Sequence, residues 1–167
     1  MLFRTVPRHL HELTQRVALA AVAACREVAG VDAALKWPND VLVDGRKLAG
    51  VLAQAGGGAR VGFVVVGIGL NVRWAPPDAA LLGAAFDPES VLAALLAAYD
   101  ALPTDITQMY RTNLATLGTQ VRVIQANGET VGRALDVDPD GRLVVLDDCG
   151  ITHRFDTGDV VHVRPGA

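Results

Sequence analysis

The run Val61-Gly62-Phe63-Val64-Val65-Val66 constrains the fold most, because a continuous apolar stretch that closes on Gly67 has no polar edge to turn toward water. Read as a strand over residues 60–67, it predicts a sheet element buried on both faces and lying at the centre of its sheet. Upstream, Leu2-Phe3-Arg4-Thr5-Val6 alternates like a strand and meets Pro7, so the chain opens inside a sheet element. Residues 9–29 read as a helix. Leu10, Leu13, Val17, Ala20, Ala21 and Ala24 keep a three- or four-residue spacing, Gly30 supplies the stop, and an alanine surface suits close packing on a sheet.

Ala33-Ala34-Leu35-Lys36-Trp37 is strand-like and ends in the turn Pro38-Asn39-Asp40. Val41-Leu42-Val43 and residues 47–54 flank Asp44-Gly45, a hairpin signal, and Gly56-Gly57-Gly58 turns the chain again. After a Pro- and Gly-bearing loop over residues 73–86, short helices are predicted over residues 88–102 and 104–117. From Thr119 the texture changes to five short strand runs separated by Asn127-Gly128, Pro139-Asp140-Gly141, Cys149-Gly150 and Thr157-Gly158, the spacing of a small barrel. Some fifty residues make a marginal core, so this unit should lean on the larger one.

With 167 residues, 51% of them hydrophobic and 20% charged, the chain can bury a true core. A net charge of −3 with no Lys or Arg run argues against a phosphate-neutralising nucleic-acid binder. Cys25 and Cys149 are far apart, with no Cys or His at ligand spacing, which signals neither a zinc site nor a disulfide framework and fits a reducing cytoplasm. The apolar stretch of residues 17–25 is bracketed by Glu12, Arg16, Arg26 and Glu27, so it reads as a buried helix and not as a membrane segment. His9, His11, His153 and His162 share no ligand spacing, and no metal-ligating residues are assigned.

Three segments can carry chemistry. Lys36-Trp37-Pro38-Asn39-Asp40 sets a cation, an aromatic ring, a rigid turn and a carboxylate within five residues at a strand end. Its plain reading is a core tryptophan and a solvated turn. Lys47-Leu48-Ala49-Gly50-Val51-Leu52 places a lysine ahead of an apolar strand with Gly50 inside it; that glycine marks either a ligand lying against the backbone, or a bulge or a helix packed overhead. Gly67-Ile68-Gly69-Leu70-Asn71 ends the apolar strand without the third glycine of a dinucleotide fingerprint, since Val72 stands there. Strict alternation puts Lys47 and Leu52 on opposite faces, and a bulge near Gly50 or strong twist would be needed to unite them.

Taken in this order, the three segments resemble biotin protein ligases. The tail adds to the resemblance: Ala115-Thr116-Leu117-Gly118, Gly132-Arg133-Ala134, Asp138-Pro139-Asp140-Gly141 and Gly158-Asp159-Val160-Val161-His162 look like the SH3-like C-terminal domain of bacterial members. The resemblance implies an α+β fold: a mixed β-sheet packed with helices, as in the class II synthetase-like catalytic domain, over residues 1–117, then a small SH3-like β-barrel over residues 118–167. It implies that biotin and MgATP give biotinyl-5′-AMP and that the acyl group passes to a lysine of a biotin carboxyl carrier domain.

Residue by residue, Lys47 matches the lysine at the biotin carboxylate and is, with Asp40, a catalytic candidate, Asp40 receiving or orienting the carrier lysine. Gly50, Leu52 and Gly67 match biotin contacts. Asn71 matches an asparagine near the nucleotide phosphates and their Mg²⁺, with Lys36 and Asn39 shaping the turn and field around them. A Gly- and Arg-rich clamp over the adenylate precedes these segments in the family and is not found here, so the chain is expected to be N-terminally truncated. The alternative function is a catalytically impaired biotin-binding or assembly module. Expected partners are biotin, ATP and the carrier domain, with a homodimer or companion chain, and neither nucleic acid nor membrane.

Overall fold

The structure, a computed structural model, describes residues 1–3, 10–57 and 61–163. Arg4 to Pro7 of the opening strand, His9 at the helix start, and Gly58 and Arg60 ahead of the apolar run lie outside the described residues. Strands β1 (Leu2–Phe3), β2 (Ala34–Lys36), β3 (Asp40–Val43), β4 (Arg46–Gly56) and β5 (Phe63–Leu70) form a first sheet in the order β1-β5-β4-β3-β2. The α+β architecture is as expected. All pairings between these strands are antiparallel, and the parallel component is an isolated bridge between Leu35 and Leu114.

Helix α1 (His11–Ala29) packs on one face of this sheet. Its Leu13, Val17, Ala20, Ala21 and Ala24 share a core with Val41, Ala49, Val51, Val64 and Val66, while Leu10 stands at the helix start and is exposed. Small alanines let the helix backbone approach the strands, and Gly30, at φ +64°, ends it with its N–H donating to the Arg26 carbonyl at 2.9 Å. Helix α2 (Pro88–Asp100) starts on Asp87, whose carboxylate accepts the Ser90 N–H with proline at the first helical turn. Helix α3 (Thr107–Asn113) follows.

The apolar run departs from its expected role. β5 is not central but lies between β1 and β4, and it alternates: Val64 and Val66 are buried, whereas Phe63 and Val65 are each 42% exposed. An unbroken apolar sequence therefore marks a strand with one face on the core and the other on an open surface. With Leu2, Phe63 and Val65 line a shallow apolar depression of about 570 Å³.

The second sheet, β6 (Gln120–Gln125), β7 (Gly128–Val137), β8 (Leu143–Asp147), β9 (Thr152–Phe155) and β10 (Asp159–His162), runs antiparallel in the order β10-β6-β7-β8-β9. The five expected strands are present, but among the described residues β9 and β10 do not pair, so the barrel is not closed. It is nonetheless strongly curled. Only residues 156–158 join the two outer strands, a reach of about 14 Å, whereas a flat sheet would hold them about 19 Å apart. Its Val121, Val123, Val137, Leu143 and Val145 belong to the same continuous core as α1, so the smaller unit does lean on the larger.

Candidate functional site

The face of the first sheet away from α1 is built by register. Lys36 pairs with Asp40, Asp40 with Gly50 and Gly50 with Gly69, so these four form one row across four strands. The next row on β4 and β5 pairs Leu52 with Gly67. Asp44 and Gly45, at φ 50° and 73°, make the tight hairpin that brings β3 and β4 together.

Lys47 reaches this face because of a bulge. Val41 pairs with Ala49 but Leu42 with Lys47, which leaves Leu48 as the extra residue on β4. The inserted residue shifts the phase of alternation, so Lys47, Gly50 and Leu52 share one face. The expected conflict is thereby resolved, two residues before Gly50. Leu48 itself is fully buried in a second small cluster with Cys25, Ala80, Leu82 and Val91. Within that cluster, burial pushes the Cys25 thiol up to about 11, which keeps it an unreactive packing group.

On the open face the Lys47 ammonium lies 2.6 Å from Asp40 Oδ1, with the lysine 54% and the aspartate 17% exposed. That oxygen has no hydrogen-bond partner of regular geometry, so the ammonium is its compensation. The lysine crosses above Gly50: a Cβ there would sit 3.1 Å from Lys47 Cε and 3.2 Å from Nζ. Among the described residues the nearest atoms to that position come from Lys47 and Asp40, not from a helix. Gly69 would meet no atom within 4 Å and Gly67 only the Leu52 carbonyl, at 4.0 Å, so neither glycine is required by packing among the described residues. Leu52 is 63% exposed beside them. A cation paired to a carboxylate thus borders a floor of bare backbone with one apolar wall, suited to a flat polar ring carrying an acidic tail.

Asn71 is brought to the same end of the site. Its Nδ2 donates to the Lys47 carbonyl at 3.3 Å and to the Ala80 carbonyl at 3.0 Å, while its N–H donates to the Leu48 carbonyl. Asn71 therefore holds both the lysine's backbone and the loop that follows. Asn39 donates its Nδ2 to the Val51 carbonyl at 2.9 Å and accepts the Val51 N–H at 2.9 Å, which clips the turn to β4. Lys36 stands three inter-strand spacings from Gly69, about 14 Å, at the border with the second sheet. There its charge, after burial, holds the His162 imidazole below the usual range.

Two groups escaped the sequence reading. Gly69 belongs to the floor as much as Gly67, and the signal was present, since glycines two apart on a strand share a face. Trp37 is not only core: its indole N–H donates to the Gly141 carbonyl at 3.0 Å, and its backbone N–H to the buried Thr116 hydroxyl at 3.0 Å. Neither bond carries a local sequence signal.

Residues 3–71 match the biotin/lipoate A/B protein ligase family, and residues 116–163 match the biotin protein ligase C-terminal domain. The chain belongs to the biotin protein ligase family. It is 40% identical, over 162 residues, to the biotin–[acetyl-CoA-carboxylase] ligase of Mycobacterium tuberculosis, the match covering 87% of this chain and 59% of that protein. A second relative, the bifunctional ligase/repressor BirA of Bacillus subtilis, is 29% identical, with 84% and 50% covered. The chain thus spans between half and three fifths of these relatives. Its fold resembles the biotin protein ligase of Aquifex aeolicus solved in complex with biotin and ATP, with TM-score 0.76, 24% identity, and 95% of this chain and 74% of that one covered.

Proposed function

We propose that the chain carries the catalytic floor of an ATP-dependent biotin protein ligase, which forms biotinyl-5′-AMP and transfers biotin to a lysine of a biotin carboxyl carrier domain. The observation that carries this reading is the Lys47–Asp40 pair, 2.6 Å apart, set over Gly50 and beside the open backbone of Gly67 and Gly69. In the first step a biotin carboxylate oxygen attacks the α-phosphorus of ATP and pyrophosphate leaves. Lys47 neutralises and orients that carboxylate, since a fixed ammonium is worth far more at a preorganised site than in water. The ureido ring would lie on the glycine floor with Leu52 as its apolar wall.

In the second step the carrier lysine attacks the acyl carbon of the mixed anhydride and AMP leaves. The attacking amine must first lose a proton, and in this reading Asp40 takes it. Because Asp40 faces Lys47, arrival of the biotin carboxylate at that ammonium also frees Asp40 for this role. Asn71, Lys36 and Asn39 are assigned to the nucleotide side, where Asn71 braces the strand end beside the phosphates. Mg²⁺ would be held chiefly by phosphate oxygens. Residues 1–117 form the reacting unit in this reading and residues 118–167 its support.

The test is biotin-dependent exchange of pyrophosphate into ATP, measured for this chain and for a form extended upstream to the length of the relatives, each with and without Lys47→Ala. Biotin-dependent exchange that disappears in Lys47→Ala supports the reading. Its absence from both wild-type forms contradicts it.

A further inference from the structure

The turn between β7 and β8 is more elaborate than a chain reversal requires. The Asp138 carboxylate accepts the N–H of Asp140 at 2.9 Å and of Arg142 at 3.0 Å, and also the Arg142 guanidinium at 3.0 Å. The Gly141 N–H closes the loop on the Asp138 carbonyl at 2.8 Å. Gly141 sits at φ +80°, with the His11 ring of α1 where a Cβ would be, so both backbone and neighbour demand glycine. The carbonyl of this braced residue receives the Trp37 indole N–H, 104 positions away in sequence.

A buried indole N–H needs an acceptor, and many would serve. This one is fixed to another sheet. Thr116 grips the same residue from the other side, accepting the Trp37 backbone N–H while its oxygen lies 3.3 Å from His162 Nε2 on β10. The Ala115 N–H adds a bond to the Leu35 carbonyl at 2.8 Å. Trp37 is thus held at its backbone and at the far end of its ring, and Asp40 follows three residues later.

We propose that Trp37 is a positioning residue, through which the braced Gly141 turn of the second sheet sets the placement of Asp40 against Lys47. The inference rests on Asp40 and Lys47 being the reacting pair, but its geometric part can be read without turnover.

The experiment uses ¹⁵N-labelled full chain, with Gly141→Ala, Trp37→Phe and Thr116→Val, and Arg122→Ala on the exposed face of β6 as control. The readouts are the amide resonances of Asp40 and Gly50, the affinity for added biotin, and the melting temperature. Thr116→Val is expected to move both resonances and to weaken biotin binding by about threefold to tenfold, the effect of one lost hydrogen bond. Gly141→Ala, which displaces the acceptor turn through backbone strain and contact with the His11 ring, should do so at least as strongly. Trp37→Phe, which deletes the donor, should do the same, and if it fails to fold the other two carry the test. Arg122→Ala should change neither. A purely stabilising contact would lower the melting temperature and leave Asp40 and Gly50 unmoved, and that result overturns the proposal. Moved resonances with no biotin binding by this chain or by the upstream-extended form would uphold the positioning and overturn the proposed function instead.

Discussion

At Gly50 a single missing methyl group decides where Lys47 can lie. A Cβ there would press on the end of a flexible side chain and not on backbone, so Gly50→Ala should cost little stability while displacing the ammonium from Asp40. Chemical denaturation should show a change of about 1 kcal/mol or less, with biotin affinity down by about tenfold or more; a folded Gly50→Ala protein with unchanged affinity would contradict the placement. Asn39→Ala removes the side-chain half of the clip to Val51 and should destabilise the chain by about 1 kcal/mol in the same assay. Lys47, Gly50 and Gly67 were legible as candidates for the proposed site from their motifs. Their common face was not, because the parity of a strand does not reveal which residue is the extra one in a bulge.

At the level of elements, the β3–β4 hairpin and the end of α1 follow from Asp44-Gly45 and Gly30. The apolar run of β5 misleads for a physical reason: apolar residues on an open face and on a core face are indistinguishable in composition, and only the neighbouring layers separate them. The Asp138 turn is likewise visible in sequence as a turn, but not as the acceptor for Trp37. Its acid sensitivity follows from its bonds. Partial burial raises the Asp138 carboxyl, yet the Arg142 backbone and side-chain hydrogen bonds outweigh it and hold the group below the usual carboxylate range. A depressed carboxyl stabilises the fold above its ordinary value, about 3.9, and that contribution is lost as pH falls through the lower folded value. Asp138→Asn should therefore remove part of the acid lability below about pH 4, read from melting temperature against pH; an unchanged acid limb would show that the turn does not open there.

For the whole molecule, the two sheets share one core, and His162 lies on the seam between them. Burial first, and the Lys36 charge second, hold its imidazole below the ordinary value. Its neutral form is thus favoured in the folded state, so it contributes stability above about pH 6.5 and loses it as pH falls through the folded value. Replacing His162 with Gln should flatten the dependence of melting temperature on pH below about 6.5, whereas an unchanged slope would place the titration elsewhere. Composition and strand rhythm announced the two units, but not the tie between them. The hydrogen bonds of Trp37 to Gly141 and Thr116 join residues up to 104 positions apart and leave no periodic trace.

The central claim is that Lys47 and the glycine floor receive biotin. Calorimetric titration of the chain with biotin, alongside amide resonance mapping and Lys47→Ala, tests it most directly. The account predicts saturable binding, resonance changes centred on Gly50, Gly67 and Gly69, and an affinity at least about tenfold weaker in Lys47→Ala. Binding that is indifferent to Lys47, or that leaves those three glycines undisturbed, would contradict it.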